Sequence, residues 1–179
     1  MRRVLLPAAL AILVAGCGGG DKANKPLPAA PPTIQLRSSA FPEGGTIPAR
    51  YTCSGEGVSP ELGWSHVPPR ARELTLVVED PDAGRFIHWT LIRLSPRSFG
   101  VGVDEVPAGA AETKNSAGKR GWTPPCPPKG DDAHHYTFSL YALDKGLTLE
   151  PGASPEAVKA VLKGALGRGT FTGTYQRTS

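Results

Sequence analysis

Proline and glycine cut the middle and end of this chain into short apolar runs, and that punctuation decides what it can fold into. With 19 prolines and 22 glycines in 179 residues, long helices have little room to form. Proline removes a backbone donor, and glycine loses more freedom on ordering than any other residue. Leu74 to Val78 is apolar and β-branched and runs into Glu79-Asp80-Pro81. A proline there cannot continue the ladder, so Asp80 is expected at a strand end. His88 to Leu94, Tyr136 to Leu143 and Thr170 to Tyr175 read as further strands. Within Tyr136 to Leu143, alternation puts Tyr136, Phe138 and Leu140 on one face and Thr137, Ser139 and Tyr141 on the other.

One good helix is visible. Ser154 suits an N-cap and Pro155 the first helical position, and Val158, Val161, Leu162 and Ala165 recur at helical spacing. Gly167 stands where a C-terminal glycine stop is expected. Many strands with one or two peripheral C-terminal helices imply a mainly-β, antiparallel β-sandwich.

The first residues read as a processing signal. Arg2 and Arg3 precede Val4 to Val14, an uncharged and mostly apolar run too short to span a bilayer. Val14-Ala15-Gly16-Cys17 then has the form of a bacterial lipobox, so residues 1–16 are expected to be a lipoprotein signal peptide and Cys17 the acylated residue. Residues 17–33, rich in Gly, Ala, Pro and Lys without apolar periodicity, are expected to form a flexible linker, and 34–179 one folded domain. Cleavage before Cys17 removes two arginines and no acid, lowering the net charge from +4 to +2. No block of five basic residues appears, so a nucleic-acid surface is not supported. The expected location is the cell envelope, with the membrane touched through the lipid anchor only.

With Cys17 acylated, Cys53 and Cys126 are left as an even pair in an oxidising compartment. They either form a bridge or stand as two separate thiols in their loops, since spacing does not set the Cα separation.

The polar chemistry is concentrated in two stretches. One is Asp80-Pro81-Asp82-Ala83, followed by His88-Trp89. The other is Cys126-Pro127-Pro128-Lys129-Gly130, followed by His134, His135 and Tyr136. Three of the chain's four histidines fall here. In an extended segment His134 and Tyr136 face one way and His135 the other. That selects His134 for a shared pocket and leaves His135 to solvent or an outer contact. Asp80 either starts a turn, as Asp-Pro dipeptides do, or lines a pocket and orients an imidazole, His88 being the expected partner. Asp82 reads as a turn former. Pro127-Pro128 is either a rigid pocket wall with fixed φ or a plain surface loop.

This pairing resembles the phosphatidylethanolamine-binding protein family, the Raf kinase inhibitor-like proteins, in its bacterial branch. Gly55-Glu56-Gly57-Val58-Ser59-Pro60-Glu61-Leu62 with Trp64 looks like the family's loop before the Asp-Pro-Asp strand, and Gly173-Thr174-Tyr175 like its closing strand. The resemblance implies two antiparallel, Greek-key-like sheets with helices near the C-terminus. It also implies a ligand pocket on Asp80, His88, Pro127, Pro128, His134 and Tyr136. The family usually has arginine where His135 stands and commonly proline where Gly84 stands. These departures imply a lost outer-face ion pair and a more open pocket mouth.

Two imidazoles, a phenol and strand-end N–H groups suit a small oxyanion such as phosphate or a phosphorylated head group. Asp80 would repel a fully ionised phosphate, so it pairs with a protonated imidazole or takes a proton from the ligand. Affinity is therefore expected to weaken as pH rises from about 6 to 8. The resulting expectation is a non-catalytic anion-binding protein that needs no cofactor and inhibits a partner enzyme, such as an envelope protease. The alternative is a hydrolase using Asp80, His88 and His134, with Cys126 as its nucleophile in one version. No nucleophile elbow or phosphate-cradling glycine loop supports it. A metal site from Asp80, His88, His134 and Cys126 has acceptable ligand types but none of the strong zinc spacings.

Overall fold

The computed structural model describes residues 25–178. The expected signal peptide, Cys17 and the linker up to residue 24 lie outside the described residues. Eight strands follow in chain order: β1 (Gln35–Arg37), β2 (Leu62–Ser65), β3 (Glu73–Asp80), β4 (Phe86–Leu94), β5 (Gly100–Val101), β6 (Ala111–Glu112), β7 (His134–Leu143) and β8 (Gly167–Tyr175). They form a three-stranded sheet ordered β1-β2-β5 and a five-stranded sheet ordered β6-β4-β3-β7-β8, and every strand pair is antiparallel. The mainly-β sandwich expected from the punctuation is the fold.

The core between the sheets follows from alternation. Leu74, Leu76 and Val78 of β3, Trp89 and Leu91 of β4, and Tyr136, Phe138 and Leu140 of β7 meet Leu36, Leu62 and Trp64 from the smaller sheet. Each such large side chain stabilises by about 1.5–3 kcal/mol on leaving water. Gly173 is required by this packing, because a Cβ there would come within 2.5 Å of the Phe41 ring.

The other face of the large sheet is apolar too. Val77, Ile87, Tyr141 and Leu143 are covered by Val158 and Leu162 of the helical region and by Leu27. The helix, α1 (Pro155–Val161), has Ser154 as its N-cap, the side chain accepting from the Ala157 N–H at 3.3 Å. Its expected glycine stop is corrected. Gly164 takes the left-handed conformation at φ +79°, three residues earlier than Gly167, which opens β8.

The linker expectation is also corrected in its later part. Leu27 is buried, the Tyr141 hydroxyl donates to the Pro28 carbonyl at 2.7 Å, and the Arg168 N–H donates to the Pro31 carbonyl at 2.7 Å. A short helix cannot cover a five-stranded sheet, so residues 25–33 complete the cover. They have no regular secondary structure, and the carbonyls of Pro28 and Pro31 accept from the domain. The folded unit therefore reaches at least to residue 25 rather than starting at 34.

Antiparallel register gathers the ends that matter. Asp80 pairs with Phe86, Glu79 with Thr137 and His134 with Tyr175. The C-terminal end of β3, the start of β4, the start of β7 and the end of β8 thus share one edge of the sandwich.

Candidate functional site

Asp80 is the last residue of β3 and is buried, with both carboxylate oxygens occupied. Oδ1 accepts from the backbone N–H of Asp82 at 2.9 Å and of Ala83 at 3.0 Å. Oδ2 accepts from Nδ1 of His134 at 2.8 Å. The turn former and the imidazole orienter, set as alternatives for Asp80, are therefore one residue using two oxygens. The expected imidazole partner is corrected. His88 brings Nε2 only to 3.9 Å from Asp80 Oδ2, too far for a hydrogen bond, and donates Nδ1–H instead to the Thr123 carbonyl at 2.8 Å.

His88 enters the site through a β-bulge. Val78 pairs with Trp89 while the next residue, Glu79, pairs with Ile87, so His88 has no partner on β3. The extra residue resets the alternation, and His88 joins Trp89 on the inner side, as bulges beside functional sites often arrange. The ring stands edge-on to Tyr136 at 5.2 Å and to Phe86 at 4.8 Å between centroids.

The second wall is the segment before β7. Asn115, buried, donates Nδ2–H to Thr123 Oγ1 at 2.7 Å and accepts the Ala117 and Lys119 N–H groups on Oδ1. The Thr123 N–H donates to the His88 carbonyl at 3.0 Å, closing a two-way link between loop and strand. Cys126 is joined to Cys53 by a disulfide with Cα atoms 5.4 Å apart. The open question between bridge and free thiols thus resolves as the bridge, and a Cys126 nucleophile is removed with it.

A cavity of about 190 Å³ lies between these walls, lined by Asp80, Ala83, Phe86, His88, Thr123, Pro124, Cys126, Pro127 and Tyr136. Four of the six expected ligand-binding residues line it. Pro128 does not, because its ring is exposed, and the rigid wall is Pro124 with Pro127. His134 does not line it either. It holds Asp80 from behind and turns Nε2 toward Asp131 Oδ2, 4.0 Å away, in a separate open depression with Asp82 and Asp132. Phe86, Thr123 and Pro124 were missed. Phe86 was findable, since it stands two residues before His88 on one strand face; Thr123 and Pro124 carry no local signal.

The outer contact expected of His135 is present. Its backbone N–H and Nδ1 both reach Asp82 Oδ2, at 2.7 and 2.9 Å. Asp82 is therefore a clasp between the β3–β4 turn and β7, and His135 supplies the partner that the resemblance implied was lost. Gly84 and Arg85 both have φ of 62°, a conformation closed to proline, which accounts for the departure at Gly84.

Burial pushes the Asp80 carboxyl up, but the imidazoles of His88 and His134 and the Ala83 N–H outweigh it and hold the group below its ordinary value. Burial first, and the Asp80 charge second, raise the Tyr136 hydroxyl well above the ordinary phenol range. The cavity thus presents an ionised carboxylate and a phenol that keeps its proton. Among the described residues, no three His, Cys, Asp or Glu side chains are grouped to hold a metal ion, and no helix is long and apolar enough to cross a membrane.

A two-sheet sandwich with a small, mostly apolar cavity that carries a carboxylate, an imidazole and a phenol among the strand ends of its larger sheet defines a ligand-binding scaffold. Residues 37–176 match the phosphatidylethanolamine-binding protein family, and the chain belongs to that family. It is 39% identical over 196 aligned positions to a Mycobacterium tuberculosis protein provisionally named lipoprotein LppC, covering 98% of this chain and 96% of that one. It is 41% identical to a UPF0098 protein of Methanothermobacter thermautotrophicus, over 80% of this chain and 99% of the relative. Among solved structures, a phosphatidylethanolamine-binding protein homolog from Chlamydia trachomatis superposes with a TM-score of 0.76 at 38% identity, covering 81% of this chain and 98% of that one. A carboxypeptidase Y inhibitor, solved with its cognate proteinase, shares the fold alone, with a TM-score of 0.52 at 20% identity over 82% of this chain and 85% of that one.

Proposed function

We propose that the protein is a non-catalytic binding protein whose cavity takes a small phosphoryl-bearing ligand, a free phosphomonoester or a phosphorylated head group. The observation that carries this is the facing pair of His88 Nε2 and Asp80 Oδ2, 3.9 Å apart. With Nδ1–H given to Thr123, the neutral His88 ring offers Nε2 as an acceptor, and Asp80 is an acceptor as well. Two acceptors bordering one small space call for a proton. A singly protonated phosphate brings one. Alternatively, protonated His88 donates to an anionic oxygen, with the Tyr136 hydroxyl as a further donor. Binding through the ligand's proton weakens as pH rises from about 6 to 8, since phosphomonoesters lose their second proton in that range.

Family membership supports a binding role over a hydrolytic one, and the Cys53–Cys126 bridge leaves no thiol nucleophile at the cavity. The exposed Pro128 and the Asp82–His135 clasp at the rim offer a surface for a protein partner, so inhibition of an envelope enzyme is the role that fits a bound ligand at the mouth. The processing of residues 1–16 and acylation of Cys17 belong to the same proposal. They are supported by the relative with lipoprotein in its name, whose match covers 98% of this chain.

Calorimetry with inorganic phosphate and phosphoethanolamine between pH 6 and 8 tests the ligand. We expect affinity to fall with rising pH and to drop about tenfold or more in His88→Ala. Affinity unchanged in His88→Ala would overturn the assignment. Mass spectrometry of Cys17 in the membrane fraction tests the anchor.

A further inference from the structure

A larger cleft lies at the opposite end of the sandwich, and it is built from two copies of one device. Between β2 and β3, the Ala71 N–H donates to the Pro68 carbonyl at 2.9 Å, closing a tight turn with Pro69 and Arg70 at its centre. After β4, the Ser98 N–H donates to the Ser95 carbonyl at 3.1 Å, closing a second turn with Pro96 and Arg97 at its centre. Proline at the second turn position sets φ in advance, so each turn presents the arginine that follows from an ordered backbone. Arg72 adds a third guanidinium, and Asp144 is the one acidic residue of the lining. The cleft encloses about 840 Å³.

None of Arg70, Arg72 and Arg97 has a side-chain hydrogen bond or ion pair among the described residues, whereas Arg50 and Arg85 are paired with Glu56 and Glu79. Three like charges gathered around one concavity repel one another, and an anion within it relieves that repulsion. Guanidinium groups match the geometry of phosphoryl oxygens through paired N–H donors. Arg72 directly precedes β3 and Asp80 ends it, so the two sites stand at opposite ends of an eight-residue strand, on the order of 25 Å apart.

We propose that this twin-turn arginine cleft is a second anion site, one that takes a phosphoryl group with more than one ionised oxygen. It is independent of the Asp80 cavity. It differs from that cavity in chemistry, because it offers permanent positive charge and needs no proton from ligand or imidazole. Its affinity therefore falls with added salt and, unlike that of the Asp80 cavity, does not weaken as pH rises from about 6 to 8.

The test titrates inorganic pyrophosphate into the full chain carrying His88→Ala, which silences the other cavity, and repeats it with Arg70→Gln and Arg97→Gln added. The expected result is an affinity loss of about tenfold or more with a weaker salt dependence. Equal affinity and equal salt dependence would overturn the proposal. A second measurement needs no variant. Arginine modification by phenylglyoxal, mapped by mass spectrometry, is expected to be suppressed by pyrophosphate at Arg70 and Arg97 but not at Arg50. Absence of that selective protection would also refute the site. Repeating the protection with vesicles of phosphatidylcholine, with and without phosphatidic acid (a phosphomonoester head group), separates the sources. Protection by the vesicles that contain phosphatidic acid identifies a lipid head group, and protection by pyrophosphate alone identifies a free phosphate.

Discussion

Asp80 and His134 are 54 residues apart in sequence, yet share a 2.8 Å hydrogen bond that ties the end of β3 to the start of β7. The same carboxylate caps the turn after β3 through its other oxygen. One side chain thus sets a loop, an imidazole tautomer and the charge at the cavity floor.

Separating those duties is direct. Asp80→Asn keeps an oxygen for the Asp82 and Ala83 N–H groups but turns a donor toward His134, and is expected to cost about 1–3 kcal/mol. Asp80→Ala loses both functions and should cost more. Urea unfolding of the two variants measures the difference, which is the contribution of the turn.

The lowered Asp80 carboxyl also has a pH signature. Because its folded value lies below the unfolded one, its stabilising contribution is complete above about pH 4 and is lost as pH falls through the folded value. Melting temperatures followed from pH 6 down to 2.5 should fall less steeply for Asp80→Asn than for the parent. Parallel curves would mean the carboxylate is not held as described.

The Cys53–Cys126 bridge closes a loop with a sequence separation of 73. The chain-entropy argument gives about 4 kcal/mol for a loop of that length. Unfolding with and without reductant should show a loss of that order, and Cys53→Ser with Cys126→Ser should match the reduced protein. Phosphate affinity is expected to fall as well, since Cys126 and Pro127 form part of the cavity wall.

Leu27 distinguishes a packed segment from a tether. Leu27→Ala should cost about 2–5 kcal/mol, as for other buried leucines. A free tether would show no change. Chemical denaturation of the full chain decides between these outcomes.

Gly84 tests the turn. Its φ of 62° costs an L-residue about 1–2 kcal/mol, so Gly84→Ala should destabilise by about that much. Gly84→Pro should destabilise further, because its ring cannot adopt that angle. Thermal unfolding orders the three.

Much of the fold was legible because its signals are local. Proline after Asp80, the alternation from Tyr136 to Leu143 and the Ser154-Pro155 start each act within a few residues. Parity along β7 turns His134 to Asp80 and His135 to Asp82 for the same reason, although of His134 and Tyr136 only Tyr136 lines the cavity. The misreadings share the opposite cause. Leu27 looked like linker because the apolar face it covers is formed by β3, β4 and β7. His88 looked like the partner of Asp80 because nothing nearby in sequence announces the bulge or the Thr123 carbonyl that takes its Nδ1–H. Thr123 and Pro124 are ordinary residues until Asn115 and the Cys53 bridge hold them against the site.

The order of residues alone therefore determined the central parts of the four long strands, the stop at Asp80 and the residue types available for chemistry, since backbone preference and alternation are properties of short windows. Tertiary structure decided which imidazole holds Asp80, which proline forms the wall and where the domain begins. Those outcomes depend on hydrogen bonds and burial between segments tens of residues apart, and no short window contains both partners.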